Sequence, residues 1–204
     1  MAEGGLKTVR FDADDVISGL QHQVDADRFL ESLRERLGKF GLELHPDKTR
    51  RIEFGRFAED RRKRRGEGKP EPFDFLGFTH ISGKDRKGTF AVKRKTSRKR
   101  MRSKLLAIKH QLRQRMHDPT EPTGEWLQSV VQGYFNYHAV PGNTDSLGIF
   151  RQRVIRLWRW TLRRRGQKHR PNWARIQRLA ARWIPEPRVL HPYPELRFAA
   201  NHPR

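Results

Sequence analysis

Charge and hydrophobic pattern both change near residue 92 of this 204-residue chain. Residues 1–92 carry 19 Lys or Arg against 17 Asp or Glu, a net charge of +2, whereas residues 93–204 carry 26 against 6, a net charge of +20. Apolar residues alternate in short runs before this boundary and recur with a period of 3.6 after it. The sequence therefore predicts an α+β fold, with a small antiparallel sheet and a covering helix in residues 1–92 and an α-helical domain in residues 93–204.

The first 92 residues contain signals for two hairpins, one helix and a long polar loop. The predicted elements are a hairpin over 6–22 with acids at its tip, a helix over 25–40, short strands at 42–44 and 51–54, an exposed loop over 56–72, and a hairpin joining 73–78 to 89–92. The loop prediction rests on the run Arg61-Arg62-Lys63-Arg64-Arg65, which is too highly charged to belong to a core.

The basic domain contains signals for four helices. The first has an apolar stripe at Met101, Leu105, Ile108, Leu112 and Met116, with Arg and Lys on its other faces. The remaining helices are predicted to begin near Trp126, to run from Thr144 towards Gly166, and to run from an N-cap at Asn172 to a stop at Pro185.

Composition limits the compartment and the partners. Without cysteine, neither disulfides nor thiolate metal sites can form, and a reducing compartment is permitted. No apolar run approaches the roughly 20 residues that span a bilayer, and the first residues lack a signal-peptide pattern. We therefore expect a cytoplasmic protein with no membrane partner, and the net charge of +22 indicates nucleic acid. The alternative, a generally basic protein with solvated arginine faces, does not predict so sharp a boundary.

Asp14 and Asp15 are adjacent carboxylates at the tip of the first predicted hairpin. Like charges this close repel unless a cation neutralises them. Hard oxygen ligands of this kind suit Mg²⁺, which uses one or two carboxylates together with waters and substrate phosphates. The other explanation is an ordinary acidic turn, because Asp pairs are common in loops.

The order of these features resembles the later palm motifs of reverse transcriptases, especially bacterial group II intron enzymes, followed by the maturase-specific thumb domain. The likeness covers essentially the whole chain. It lies in Ala13-Asp14-Asp15, in Gln21-His22 with Phe29-Leu30, in Lys39-Phe40-Gly41-Leu42-Glu43-Leu44-His45-Pro46-Asp47-Lys48-Thr49, in Phe73-Asp74-Phe75-Leu76-Gly77-Phe78, and in Gly133-Tyr134-Phe135-Asn136-Tyr137-His138-Ala139-Val140.

The resemblance implies roles for residues in the first part of the chain. Asp14 and Asp15 would be catalytic metal ligands, and Lys48 would be the palm lysine that acts on the pyrophosphate leaving group. The hairpin residues that grip the primer would be Phe75, Leu76 and Gly77. These roles fit phosphoryl transfer, in which metals and a cation neutralise developing charge. For Lys48 a solvated turn lysine remains the alternative.

The chain also departs from the family. Asp12 stands where the family has a tyrosine, and we expect the fingers and the palm strand with a further metal-binding aspartate to be absent. The Mg²⁺ site would then be weak or incomplete. The leading function is intron-RNA binding that assists splicing and mobility. The alternatives are half of an RNA-directed DNA polymerase that needs a separate reverse-transcriptase chain, with a DNA primer or target as a further partner, or an inactive mobile-element remnant.

In the basic domain, cations can neutralise phosphates while aromatic rings stack on unpaired bases. For each aromatic residue, a place in the helical core is the favoured interpretation over base stacking, and Trp160 is the best candidate for exposure because it lies among arginines. The predicted nucleic-acid-binding residues are Arg98, Lys99, Arg100, Arg102, Lys104, Tyr134, Tyr137, Arg156, Arg159, Trp160, Arg163, Arg164 and Arg165.

The incomplete metal site leads to a prediction about catalysis. The purified chain should not extend a primer in the presence of Mg²⁺, template and deoxynucleotides, because we expect the further metal-binding aspartate of the family to be absent. The double substitution Asp14→Ala and Asp15→Ala should leave RNA affinity nearly unchanged, since these acids repel an anionic ligand without a metal bridge. Robust extension by the wild-type chain that is lost in the double variant would overturn this expectation.

Overall fold

The structure is a computed structural model that describes residues 8–12, 15–85, 88–166 and 171–193. Its fold is α+β, as predicted, and it divides into two compact units, Met1–Glu71 (unit 1) and Pro72–Arg204 (unit 2). Unit 1 contains β1 (Thr8–Asp12), β2 (Asp15–Gly19), α1 (Gln23–Gly38) and α2 (Ala58–Arg64). Unit 2 contains β3 (Phe73–Phe75), β4 (Phe78–Lys84), β5 (Phe90–Thr96), α3 (Arg98–Gln114), α4 (Thr120–His138), α5 (Thr144–Arg163) and α6 (Trp173–Trp183).

Unit 1 has little buried apolar surface among its described residues. Strands β1 and β2 form an antiparallel hairpin in which Phe11 pairs with Val16 and Asp12 with Asp15. Helix α1 follows the predicted periodicity, but none of its residues is buried. The segments predicted as strands at 42–44 and 51–54 form irregular chain instead, because runs of three or four residues need a neighbouring strand to pair with.

The arginine-rich run in unit 1 is helical within Ala58–Arg64, so the prediction of a loop was wrong there, although four of the five cations of the run are exposed as predicted. Glu53 explains why this run is helical, since its carboxylate lies 2.9 Å from Arg61 Nε and 2.5 Å from a terminal nitrogen of Arg65. Glu67 adds a contact of 2.6 Å to Arg65 Nε and one of 3.2 Å to Arg62. Carboxylates on both sides of α2 therefore offset the like-charge repulsion that the sequence run suggests.

The sheet of unit 2 is antiparallel in the order β3-β4-β5. Phe75 pairs with Phe78 across the tight turn at Leu76 and Gly77, and Phe78 also pairs with Thr96 of β5. The turn requires positive φ at both positions, 52° at Leu76 and 75° at Gly77. A glycine adopts this conformation readily, whereas a leucine does so only where its surroundings hold it.

Helices α3 to α6 enclose the hydrophobic core. Each helix contributes one apolar stripe, and Trp158, Phe135 and Phe150 are the largest fully buried side chains. Burying a side chain of this size stabilises the fold by about 1.5–3 kcal/mol. The other core members include Ile108 and Leu112 of α3, Leu127 and Val131 of α4, Leu147 and Val154 of α5, and Ile176 and Ala180 of α6.

Asn143 joins the sheet to the helices from the loop between α4 and α5. Its side chain is fully buried; its Nδ2 donates to Thr96 Oγ1 and to the His138 carbonyl, each at 2.8 Å. Its Oδ1 accepts from the Thr96 backbone N–H at 2.9 Å. Because a buried amide is costly unless its hydrogen bonds are made, these contacts fix the end of β5 against the helices.

No helix in the described ranges combines the length and the apolar character that a bilayer crossing needs.

Close packing of α6 on α4 gives a prediction about stability. A β-carbon at Gly124 would lie 2.7 Å from the Trp183 ring, whereas one at Gly133 of the same helix would meet nothing within 4 Å. Gly124→Ala should therefore lower the free energy of unfolding by about 1–3 kcal/mol through overpacking. Gly133→Ala should raise it by up to about 1 kcal/mol through helix propensity. Denaturant unfolding of both variants checks this, and equal effects at the two sites would contradict it.

Candidate nucleic-acid interface

Helices α3 and α5 pack side by side, and their facing segments contain almost no acid. Residues 93–117, which include all of α3, have no Asp or Glu. The only carboxylate of α5 is Asp145, in its first turn. The buried stripes of the two helices form the core, so their arginines and lysines point away from it. The result is a cationic surface for which the two helices supply almost no counter-charge of their own; Arg151 of α5, which does not line the groove described below, is paired with Glu186 at 2.6 Å.

A groove of about 380 Å³ runs between the two helices. Three leucines make its lining largely apolar, and the most exposed of them is Leu106, at 65%. Cations line the rest of the groove. The lining residues are Arg102, Leu105, Leu106 and Lys109 from α3 and Arg153, Arg156 and Leu157 from α5.

Trp160 of α5 continues this surface, and three cations surround its indole. Arg164 lies 4.7 Å from the ring, Arg113 5.6 Å and Lys109 5.9 Å. Trp160 is 37% exposed, in agreement with the prediction of exposure, although Trp173 of α6 is slightly more exposed at 43%. Lys109 belongs to both the groove and this cluster. We call the groove and the cluster together the α3–α5 strip: Arg102, Leu105, Leu106, Lys109, Arg113, Arg153, Arg156, Leu157, Trp160 and Arg164.

The other predicted nucleic-acid-binding cations fall into two groups. Five are exposed: Arg98, Lys99, Arg100 and Lys104 on α3 and Arg163 on α5. The other two are half-buried. Arg159 lies 5.0 Å from the Trp173 ring. For Arg165, desolvation lowers the pKa of the guanidinium, and two of its nitrogens have no acceptor among the described residues.

The two predicted tyrosines differ in exposure. Tyr134 lies in the core, where its ring stacks on Phe150 at 3.7 Å between centroids, and burial raises the pKa of its hydroxyl to about 12. No face of that ring is open to a base. Tyr137 is 53% exposed, and its hydroxyl donates to the Leu76 carbonyl at 2.8 Å.

The residues predicted to grip a primer form a rigid turn beside the helices. Besides the bond from Tyr137, the Ser97 N–H donates to the Gly77 carbonyl at 2.9 Å. The Phe78 ring packs at 5.8 Å from that of Tyr137. Phe75 is buried, whereas Leu76 is 37% exposed at the tip. These contacts hold Leu76 in its positive-φ conformation next to the basic start of α3.

His138 is buried among aromatic rings and takes no part in this charged surface. Its ring lies 5.2 Å from Phe78, 4.3 Å from Tyr134 and 4.8 Å from Tyr137. Burial lowers the pKa of His138 to about 4, so the imidazole is neutral at physiological pH.

The predicted Mg²⁺ site lies largely outside the described residues. Asp14 is not described, and Asp15 is described only as backbone at the start of β2. Lys48 is exposed in a turn in which its N–H donates to the His45 carbonyl at 3.2 Å. Among the described residues no group of three or more His, Asp or Glu is placed to hold a metal ion. The metal ligands and the role of Lys48 remain predictions.

Comparisons with family models, curated proteins and solved structures found no match. The site itself therefore carries the functional assignment. Sequence patterns predicted the exposed cations but missed Leu106, Lys109, Arg113 and Arg153. These four residues recur at helical spacing in segments without acids. That pattern identifies them as part of the surface once α3 is known to pack on α5.

The buried imidazole of His138 predicts a pH dependence of stability. The unfolded chain binds a proton near the ordinary pKa of 6.5, whereas the folded chain resists protonation until about pH 4. Unfolding free energy should therefore fall as pH drops through this window, by up to about 3 kcal/mol. In the His138→Leu variant this part of the slope should vanish. Denaturant unfolding between pH 7 and 4 measures it, and identical slopes in both proteins would exclude His138 as the cause.

Proposed function

We propose that the chain is an RNA-binding fragment of the group II intron reverse transcriptase/maturase type, which holds structured intron RNA on the α3–α5 strip and so assists splicing and mobility. The chemistry of splicing would belong to the RNA. The single observation that carries the proposal is the joining of two nearly acid-free helices into one cationic groove with an exposed tryptophan beside it.

The physical case for a polyanion rests on the missing counter-charges. Elsewhere in the chain carboxylates lie beside arginines, as Glu53 lies beside Arg61 and Arg65. On the α3–α5 strip the described residues include no carboxylate, and neighbouring cations repel one another. Phosphates that dock there replace this repulsion with attraction and release counterions from the RNA.

The resemblance supports RNA over other polyanions. It assigns the segment from Gly133 to Val140 to the maturase-specific domain and Phe75, Leu76 and Gly77 to a hairpin next to a nucleic-acid primer. Tyr137 of the former donates to Leu76 of the latter, so the two motifs meet in unit 2. A hairpin tip beside the basic start of α3 suits a nucleic acid that runs along both.

A second candidate function is half of an RNA-directed DNA polymerase that requires a separate chain. The observation that favours it is the exposure of four large apolar side chains on the surface of unit 1: Val24, Phe40, Leu42 and Phe57 are all more than half exposed. A further chain supplying fingers and early palm could cover this surface and add the remaining metal ligand. Mg²⁺-dependent primer extension on adding such a chain would support this function.

Charge reversal tests the proposed function. Lys109→Glu should weaken binding to a labelled group II intron RNA and reduce the slope of log affinity against log salt by about 1, because one phosphate contact is lost. Arg36→Glu, a reversal of equal size on an exposed position of α1, should change neither quantity. Fluorescence anisotropy between low and physiological salt provides the measurement, and the wild-type affinity should fall by orders of magnitude.

Two outcomes would contradict the proposal. One is wild-type affinity that is insensitive to salt. The other is an equal effect of the two charge reversals, which would mean that binding depends on overall charge rather than on the strip. Competition adds a further check: unlabelled intron RNA should displace the labelled RNA more effectively than heparin, which competes only as a general polyanion.

A further inference from the structure

The floor of the groove is apolar, which phosphate binding alone does not require. Leu105 and Leu157 are largely covered by the core, but Leu106, which also lines the groove, exposes 65% of its surface. The rims are Arg102 and Lys109 on one side and Arg153 and Arg156 on the other. A ligand that fills this groove must therefore offer an apolar face together with negative charge on both sides.

The size of the groove further restricts the class of ligand that can fill it. Its volume of about 380 Å³ is that of a small-molecule site, so one planar ring system fits and a double helix does not. An A-form duplex presents phosphates and 2′-hydroxyls and keeps its base faces stacked inside. An unpaired nucleotide presents a free base face next to its own phosphates, which matches the leucine floor and the cationic rims.

Trp160 adjoins the groove through Lys109. Lys109 lines the groove and also lies 5.9 Å from the Trp160 ring centroid. Arg102 and Arg113 are 11 residues apart on α3, which places them about 16 Å from each other along the helix. A guanidinium stacked on the ring, such as that of Arg164 at 4.7 Å, keeps its in-plane N–H groups free for a phosphate.

We infer that the α3–α5 strip binds a single-stranded segment of RNA, with one unpaired base on Leu106 in the groove and the next base beside Trp160. This inference rests on the proposed RNA-binding function and specifies the form of RNA that the strip selects. The cations of the strip contact the phosphates on either side of the seated base. Affinity therefore has an apolar part from Leu106 and a salt-dependent part from the arginines and Lys109.

The test compares three probes of equal length: a 12-nucleotide oligouridine, the same backbone with abasic residues, and a blunt RNA duplex. Leu106→Ser should weaken oligouridine binding about tenfold, within the range expected for loss of one base contact. It should change duplex and abasic binding by less than about twofold, because those probes place no base in the groove. Leu106→Phe, which keeps an apolar floor, should bind oligouridine at least as well as the wild type.

Ala107→Ser is the matched control, since this neighbouring residue is exposed but does not line the groove. It should leave all three affinities unchanged. Because Leu106 lies outside the core, Leu106→Ser should keep the wild-type melting temperature, which separates a binding effect from unfolding. If Leu106→Ser weakens all three probes equally, or none, the single-strand inference is overturned while RNA binding stands. If the wild type binds none of the probes and no intron RNA, the proposed function itself fails.

Discussion

The apolar seam between α3 and α5 holds together two helices whose charges repel. Two unit charges 4 Å apart in water cost about 1 kcal/mol, whereas each large side chain buried in the seam contributes about 1.5–3 kcal/mol. Ile108 and Leu112 of α3 and Val154 and Trp158 of α5 are all buried in this core. The core therefore outweighs the repulsion without neutralising it, and the cationic field stays on the surface. The groove and the tryptophan cluster both follow from that packing.

Local patterns predicted the helices of unit 2 well because apolar spacing and capping residues lie within each helix or next to it. The stripe from Met101 to Leu112 is buried as its period requires, and Asn172 caps α6 by accepting from the Arg175 N–H at 2.9 Å. Helix α2 was missed because its stability comes from Glu53, which lies outside the charged run. The division of the chain after Glu71 also lacks a local signal. The last hairpin belongs with the helices because of contacts between distant residues, such as that of Thr96 in β5 with Asn143, 47 residues away.

The candidate site could be predicted only in part. The basic character of α3 is evident from composition, but a groove needs two helices, and no sequence pattern says that Arg153 and Lys109 face each other. Tyr134 and Tyr137 show the same limit: they are three residues apart on α4, yet one stacks in the core on Phe150 and the other reaches Leu76. Their surroundings come from distant segments. Asp14 and Lys48 keep the roles that the resemblance implies, as predictions.

The buried amide of Asn143 has a consequence for the order of folding. Its partners lie at very different separations, five residues away at His138 and 47 residues away at Thr96. Helices α3 and α4 lie inside the longer loop and form through local contacts, whereas the bond to Thr96 closes that loop and loses chain entropy. We therefore expect helices α3 and α4 to form before the hairpin is attached. A chain arrested at that stage would be largely helical and already cationic, able to gather on RNA before its Leu76 tip is in position.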